Sequence, residues 1–272
     1  MLYFTYYVNS ILFYVLFSLI IIMEEYLKKY NNFTESRVYR FRWGEGGIGD
    51  CTKFFMFLLY ECIEKNYKIY YLITNSRLEK YLLLKNNSFY ITQNNLHKIG
   101  NYTIVTPGDY YNSFDYDKLI IPTSNIFTFS NIIINNVSRL LRIQMEYISI
   151  HIRLGDKFLE TDKRYVICKN DNRGFNEEKT SNYILNNSYK NIILFSDNNA
   201  LKVKLKKKHE NIIILNSKIG HTSFKNTSEQ QVIDTITEFY ILTQSNEIIV
   251  NTESGFSIMA SKFNHVPLSP IY

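Results

Sequence analysis

The chain has 272 residues, of which 46% are hydrophobic and 21% charged, with a formal net charge of +6. That length buries a core large enough for one large or two small domains, and the composition excludes a disordered chain. Zinc-finger, RNP and basic-zipper patterns are missing from the sequence, which argues against a nucleic-acid partner despite the basic balance. The three cysteines, Cys51, Cys62 and Cys168, form neither a disulfide framework nor a metal-ligand spacing. Cys51 and Cys62 fall in an apolar helical stretch, where small buried thiols are ordinary.

Residues 2–23 carry no charged side chain, and a helix needs roughly 20 apolar residues to cross a bilayer core. They lack the basic start and small-residue cleavage site of a signal peptide. The segment reads as a single-pass membrane anchor; the competing reading is a hydrophobic helix or strand packed on the body, which Thr5, Asn9 and Ser10 favour. Lys28, Lys29 and Arg37 follow it and no cation precedes it, so the positive-inside rule puts the body on the cytoplasmic side. Residues 24–36 read as a polar linker.

Residues 38–43 read as a strand that runs into Gly44-Glu45-Gly46-Gly47-Ile48-Gly49-Asp50, with an amphipathic helix over 51–65. Strand, glycine loop and helix together let backbone amides approach a phosphate or a sugar. The glycines also suit a plain tight turn, and the loop is neither a P-loop nor G-x-G-x-x-G. Strands are expected over 68–73, 89–92, 102–105 and 118–121, with a helix over 77–84. Strands alternating with helices argue for a parallel, doubly wound sheet. Asp115-Tyr116-Asp117 matches D-x-D, but it precedes a strand in a polar turn, where two acids are usually solvated. A helix over 129–144 connects to the second half.

The second half opens on Ile148-Ser149-Ile150-His151-Ile152-Arg153-Leu154-Gly155-Asp156. The apolar run reads as a buried strand, and His151 and Arg153, two apart, leave the same face near its end. Arg153 offers a planar fork suited to two phosphate oxygens, or one half of a structural ion pair with Asp156. Residues 157–176, with Arg164 and Arg173, read as a long irregular loop over the site. Residues 191–196 form a strand ending in Asp197, which either reads a nucleotide or helps cap the next helix. The basic run 202–208 reads as a solvated helix face. After a strand over 212–215 comes a loop with His221. A helix over 227–245 carries Asp234 and Glu238 on one face. A strand over 247–251 then leads through Ser254-Gly255-Phe256-Ser257 into a helix over 258–263. Free amides, hydroxyls and the positive dipole end make that turn an anion site or a simple cap.

Three of these stretches, in this order, resemble the motifs of the GDP-fucose-dependent fucosyltransferases of the α1,2, α1,6 and protein O-linked kinds. They are the loop with Gly46, Gly47, Gly49 and Asp50; the H-x-R-x-G-D run with His151, Arg153 and Asp156; and the Ser-Gly-Phe-Ser turn. Ser196-Asp197 resembles the family's second motif, and its bacterial members carry a histidine near the position of His221. The resemblance implies an α/β fold of the GT-B type, two facing Rossmann-like domains with parallel sheets, behind the N-terminal hydrophobic segment. It places an acceptor-side domain over 37–144 and a donor-side domain over 145–272, after an anchor over 1–23 and a linker over 24–36. It implies an inverting glycosyltransferase that moves fucose from GDP-fucose to a glycan or protein hydroxyl, with no metal and no cofactor beyond the nucleotide sugar. Arg153 would neutralise the departing diphosphate with Ser254, Gly255, Phe256 and Ser257, and His151, Asp156 and Asp197 would line the donor site. Glu238 stands where the family has its guanine-reading aspartate, with Asp234 in reserve. Glu45 is the first choice for a base, as in one protein O-fucosyltransferase branch; Asp50 and Asp156 follow. Golgi members have the body in the lumen, against the positive-inside rule. The competing functions are a glycosyltransferase using GDP-mannose or a UDP-sugar, and a non-catalytic nucleotide- or glycan-binding protein of the same fold.

Overall fold

The computed structural model describes residues 21–140, 146–158, 171, 173–222, 224 and 226–271. Helix α1 occupies residues 21–29 and passes through a 3-10 turn at Tyr30–Asn32 into β1 (Glu35–Arg40). There follow α2 (Ile48–Lys65), β2 (Lys68–Leu72), β3 (Leu82–Leu84), β4 (Tyr90–Ile91), β5 (Asn101–Val105), β6 (Phe127–Phe129) and α3 (Asn131–Leu140). The second half comprises β7 (Ile148–Ile152), α4 (Glu177–Asn186), β8 (Ile192–Ser196), α5 (Asn199–Lys208) and β9 (Ile212–Ile214). It ends with α6 (Glu229–Thr243), β10 (Glu247–Val250), α7 (Gly255–Asn264) and β11 (Leu268–Pro270).

Two parallel sheets result, one ordered β4-β2-β1-β5 and the other β11-β10-β7-β8-β9. In the first, the chain winds from β1 to β2 and β4, then returns to place β5 on the opposite side of β1. In the second it winds from β7 through β8 to β9, then returns to place β10 beside β7. Each reversal of winding opens a crevice at the carboxyl ends of the strands, where α/β sheets bind ligands. The glycine loop leaves the carboxyl end of β1, and Arg153 and Ser254 leave those of β7 and β10.

Strand β7 is buried along its whole length. Ile148, Ile150 and Ile152 pack with Ile184, Leu194, Leu205 and Ile249 on one face of the second sheet. The period-2 alternation therefore turns Ser149, His151 and Arg153 to the other face, toward the first sheet. Helix α2 buries Ile48, Cys51, Phe55, Leu58, Leu59 and Cys62, a stripe at three- and four-residue spacing. Each fully buried large apolar side chain contributes about 1.5–3 kcal/mol. The helix stops at Asn66, a left-handed residue whose N–H donates to the Cys62 carbonyl. A single apolar cluster joins α2 to α6 and α7, with the Phe129 ring of β6 tilted against Tyr240 and Phe263 at centroid distances of 4.7 and 4.9 Å.

Several expectations are corrected. Among the described residues no helix is long and apolar enough to cross a membrane, which overturns the single-pass localisation; residues 1–20 of that segment lie outside the described residues. Residues 24–36 are packed rather than a loose linker: Tyr26 and Tyr30 are buried and donate to the carbonyls of Tyr67 (2.7 Å) and Ile69 (2.5 Å). The helix expected over 77–84 is a 3-10 turn, Arg77–Lys80, followed by β3, which pairs antiparallel with β6. Residues 118–121 form no strand; Asp115 caps the 3-10 turn Tyr116–Lys118, and Ile120 is exposed. Helix α7 begins three residues early, at Gly255. Arg164 and Cys168 lie outside the described residues.

Candidate active site

The two crevices face each other and enclose one cavity of about 460 Å³. One wall is the glycine loop and the start of α2, with Gly46, Gly47, Gly49, Asp50 and Lys53; the other is made by His151, Arg153, Asp156, Asp197, Glu238 and the Ser254–Phe256 turn. Residues distant in sequence but expected from the motifs thus share one space.

Arg153 is held in place from every side. Its Nη1 donates to Asp197 Oδ2 at 2.6 Å, its Nη2 pairs with Asp156, and Asp171 lies 3.6 Å away. Asp197 is more than a partner for the guanidinium. It also accepts from the amides of Leu154 and Gly155, at 2.9 and 2.8 Å. The cap of α5 is supplied by Asn198, which accepts from Leu201 N at 3.0 Å. Asp197 therefore braces the loop after β7 at the cavity wall and does not cap the next helix. Gly155 has φ +127°, and a Cβ there would overlap the Asp171 carbonyl, so the turn requires glycine. Asn251, at the end of β10, clamps the Arg153 backbone by accepting from its N (2.9 Å) and donating to its O (3.1 Å). Sequence reasoning missed Asn251; its only signal was a polar residue closing an apolar strand.

The amino ends of α2 and α7 meet across the cavity. A Cβ on Gly49 would overlap the Gly255 carbonyl and lie 2.8 Å from Phe256 N, so the two helix starts touch backbone to backbone. In α7, Ser254 Oγ accepts from Ser257 N (3.2 Å) and Ser257 Oγ accepts from Ser254 N (3.1 Å). Ser257 thus closes the cap and does not line the cavity, a correction to its expected ligand role. The first-turn amides of Gly255 and Phe256 are those the helix cannot satisfy by itself. Above them Asp50 accepts from Gly47 N (3.0 Å) and pairs with Lys53 at 2.7 Å. A Cβ on Gly255 would sit 3.9 Å from both Asp50 Oδ1 and Lys53 Nζ. Lys53 is a cavity cation that sequence reasoning missed; its signal was its place one turn into the helix after the glycine loop.

His151 stacks on Phe256 with centroids 5.4 Å apart and planes 28° apart. Burial, with Arg153 and Arg173 behind it, pushes its imidazolium pKa down to about 3. It is therefore neutral at physiological pH, and its buried Nδ1 has no partner. His221 also lines the cavity, beside Gly47, and stacks on Phe224 at 4.5 Å. Burial lowers its pKa, with Arg153 in the same sense and Asp156 and Asp50 opposing.

At the far end Glu238 is 4% exposed. Its Oε1 accepts from the Ser217 hydroxyl and lies 3.4 Å from Lys202 Nζ. Burial raises its pKa, and Lys202 and Ser217 oppose the rise. Asp234, the reserve, faces away from the cavity and accepts from Lys218 N (3.1 Å) and Gln230 (2.7 Å). Glu45 does not line the cavity either; its carboxylate accepts from Arg42 N at 2.6 Å and braces the loop. This placement, outside the cavity lining, counts against its expected role as base. Asp115 likewise accepts from Asp117 N at 2.9 Å in an exposed turn outside the cavity.

No family model matches the chain, and no curated protein sequence matches it. The architecture itself is that of GT-B glycosyltransferases, two Rossmann-like parallel sheets with a cleft between them. The particular structures it is similar to are fucosyltransferases. One is the α1,6-fucosyltransferase NodZ co-crystallised with GDP, at a TM-score of 0.54 and 9% identity over 83% of this chain and 91% of that one; NodZ is from Bradyrhizobium. Another is a variant of Arabidopsis thaliana FUT1 in complex with GDP, at a TM-score of 0.53 and 9% identity over 92% of this chain and 74% of that one. A third is POFUT1 in complex with GDP, at a TM-score of 0.52 and 9% identity over 88% of this chain and 99% of that one. At such identities the likeness establishes the fold.

Proposed function

We propose that the chain is an inverting, metal-independent glycosyltransferase that moves fucose from GDP-fucose to a hydroxyl of a glycan or protein. The observation that carries this reading is the meeting, in one cavity, of a pinned guanidinium, a helix amino end and a buried carboxylate. These are the three things a departing nucleoside diphosphate needs: a cation, preorganised amides and an acceptor for its base. In the reaction the acceptor oxygen forms a bond to the anomeric carbon as the bond from that carbon to the β-phosphate breaks. The electron pair goes to GDP, and the acceptor's proton goes to a cavity base.

Arg153 faces the diphosphate with its fork already oriented by Asp156 and Asp197, so little reorganisation accompanies the charge that develops. Its charge is largely balanced by those acids, and two guanidiniums, Arg153 and Arg173, face three carboxylates. Lys53 and the Gly255 and Phe256 amides supply the remaining positive potential. Asp50, on the cavity wall where Glu45 is not, is the base this geometry favours. Neutral His151, stacked on Phe256, adds no charge to this wall of the cavity.

The nucleotide reading is tested by thermal unfolding. GDP at a hundredfold excess over its Kd is expected to stabilise the protein by about 2.7 kcal/mol, a rise in Tm on the order of 5 °C, with UDP giving none. A screen of donor hydrolysis across GDP-fucose, GDP-mannose and UDP-sugars then fixes the sugar. Stabilisation by UDP alone would favour a different donor class, and binding without donor consumption would leave a non-catalytic nucleotide-binding protein.

A further inference from the structure

Lys202 has no task in the reaction just described. The run to which it belongs looks solvated, and Lys204 does reach a surface acid, pairing with Glu177 at 2.5 Å. Lys202 instead turns inward and is 1% exposed. Its Nζ lies 3.4 Å from each of three acceptors, the Leu215 carbonyl, Ser217 Oγ and Glu238 Oε1. Burying an ammonium is costly unless a counter-charge and hydrogen bonds compensate it. The counter-charge here is Glu238, which lines the cavity that Lys202 itself does not reach.

We infer that Lys202 is a positioning residue for base selection: it pins Glu238 Oε1 and supplies its counter-charge, so that the carboxylate meets the ligand base as an ionised acceptor. This rests on the GDP-sugar reading above. An ionised carboxylate accepts from both the N1–H and the exocyclic amine of guanine. Adenine presents a bare N1 at the same edge and would be repelled. A protonated carboxyl reverses the preference, because it donates to adenine N1 and loses an acceptor for guanine. The charged groups bearing on Glu238 are Lys202 from α5 and Asp234, one turn earlier on its own helix; Ser217 adds a neutral donor. Burial and Asp234 favour the protonated form, and Lys202 is the first of the groups opposing them. The arrangement also accounts for a glutamate where the resembling family has aspartate, since the longer side chain is held by two partners.

Calorimetric titration of the full chain with GDP, ADP and UDP across about pH 6 to 9 tests this. The wild type is expected to prefer GDP with a nearly flat pH profile. In Lys202→Met the carboxyl titrates upward, so GDP affinity falls about tenfold per pH unit below its new pKa and returns as pH rises. The GDP-to-ADP ratio collapses in the same window. Lys202→Arg keeps the charge and the flat profile. If the methionine variant does not fold, Lys202→Gln, which keeps a polar side chain but no charge, carries the same pH test. A variant that loses affinity equally at every pH, or keeps its base preference, overturns the inference and leaves the GDP reading intact. A wild type without preference for GDP removes the donor reading itself.

Discussion

Arg153→Ala is expected to lower turnover of the nucleotide sugar by roughly a hundredfold or more, the scale for removing one preorganised donor from a developing charge. The substitution also has a structural cost. Asp197, 3% exposed at its side chain, and Asp156 lose their shared cation. Stripping one partner from a buried pair destabilises by about 3–5 kcal/mol, and the Leu154 and Gly155 amides hold Asp197 toward the lower end. The two effects separate with Arg153→Lys, which keeps a charge between the acids but loses the planar fork. Its Tm should stay near that of the wild type while kcat still falls by about tenfold or more. An alanine variant with nearly wild-type kcat would mean that the ion-pair cluster is only structural.

Gly49→Ala is expected to do as much damage without touching a charged group. The new methyl would strike the Gly255 carbonyl and Phe256 N, and backbone cannot swing aside as a side chain does. Overpacking of this kind costs about 1–3 kcal/mol, and more where nothing yields; a fall in Tm on the order of 5–10 °C follows. Separating the two helix starts also moves Lys53 away from the Gly255 and Phe256 amides, so activity should fall beyond what unfolding explains. Gly108→Ala is the matched control, since a Cβ there meets only Thr106 Oγ1, at 3.6 Å. Thermal unfolding of both variants, with GDP titrations below the transition, gives the comparison.

What was readable in the sequence follows from how local each signal is. The strands β7, β8 and β10 are apolar runs closed by polar residues, so their existence and the common face of His151 and Arg153 need no tertiary information. The antiparallel pairing of β3 with β6 was hidden because Tyr81-Leu82-Leu83-Leu84 has no alternation, and its partner lies some forty residues later. Residues 118–121 show the converse error: Leu-Ile-Ile has strand composition, but no edge receives it. Pro270 hid β11, whose parallel pairing with β10 tolerates it at the sheet's edge.

The site divided in the same way. Motif residues found one another, whereas residues whose roles depend on a partner far along the chain did not stand out. Lys202 looked solvated because its neighbours are lysines, and nothing local points to Glu238, 36 positions away. Glu45 looked catalytic because it shares a loop with the cavity's glycines, yet it braces that turn through a backbone amide three residues back and lies outside the cavity lining.

The lone tryptophan of the chain, Trp43, stands immediately before Gly44, which lines the cavity, with the Arg77 guanidinium 5.8 Å from its ring centroid. The 23 tyrosines are spread through the fold, so light absorbed by them drains toward one indole at the lip of the cleft. The protein thereby carries its own optical gauge. A ligand that orders the glycine loop should shift emission from Trp43 in proportion to occupancy, without any label, and Trp43→Phe should silence that signal while leaving GDP-induced thermal stabilisation in place.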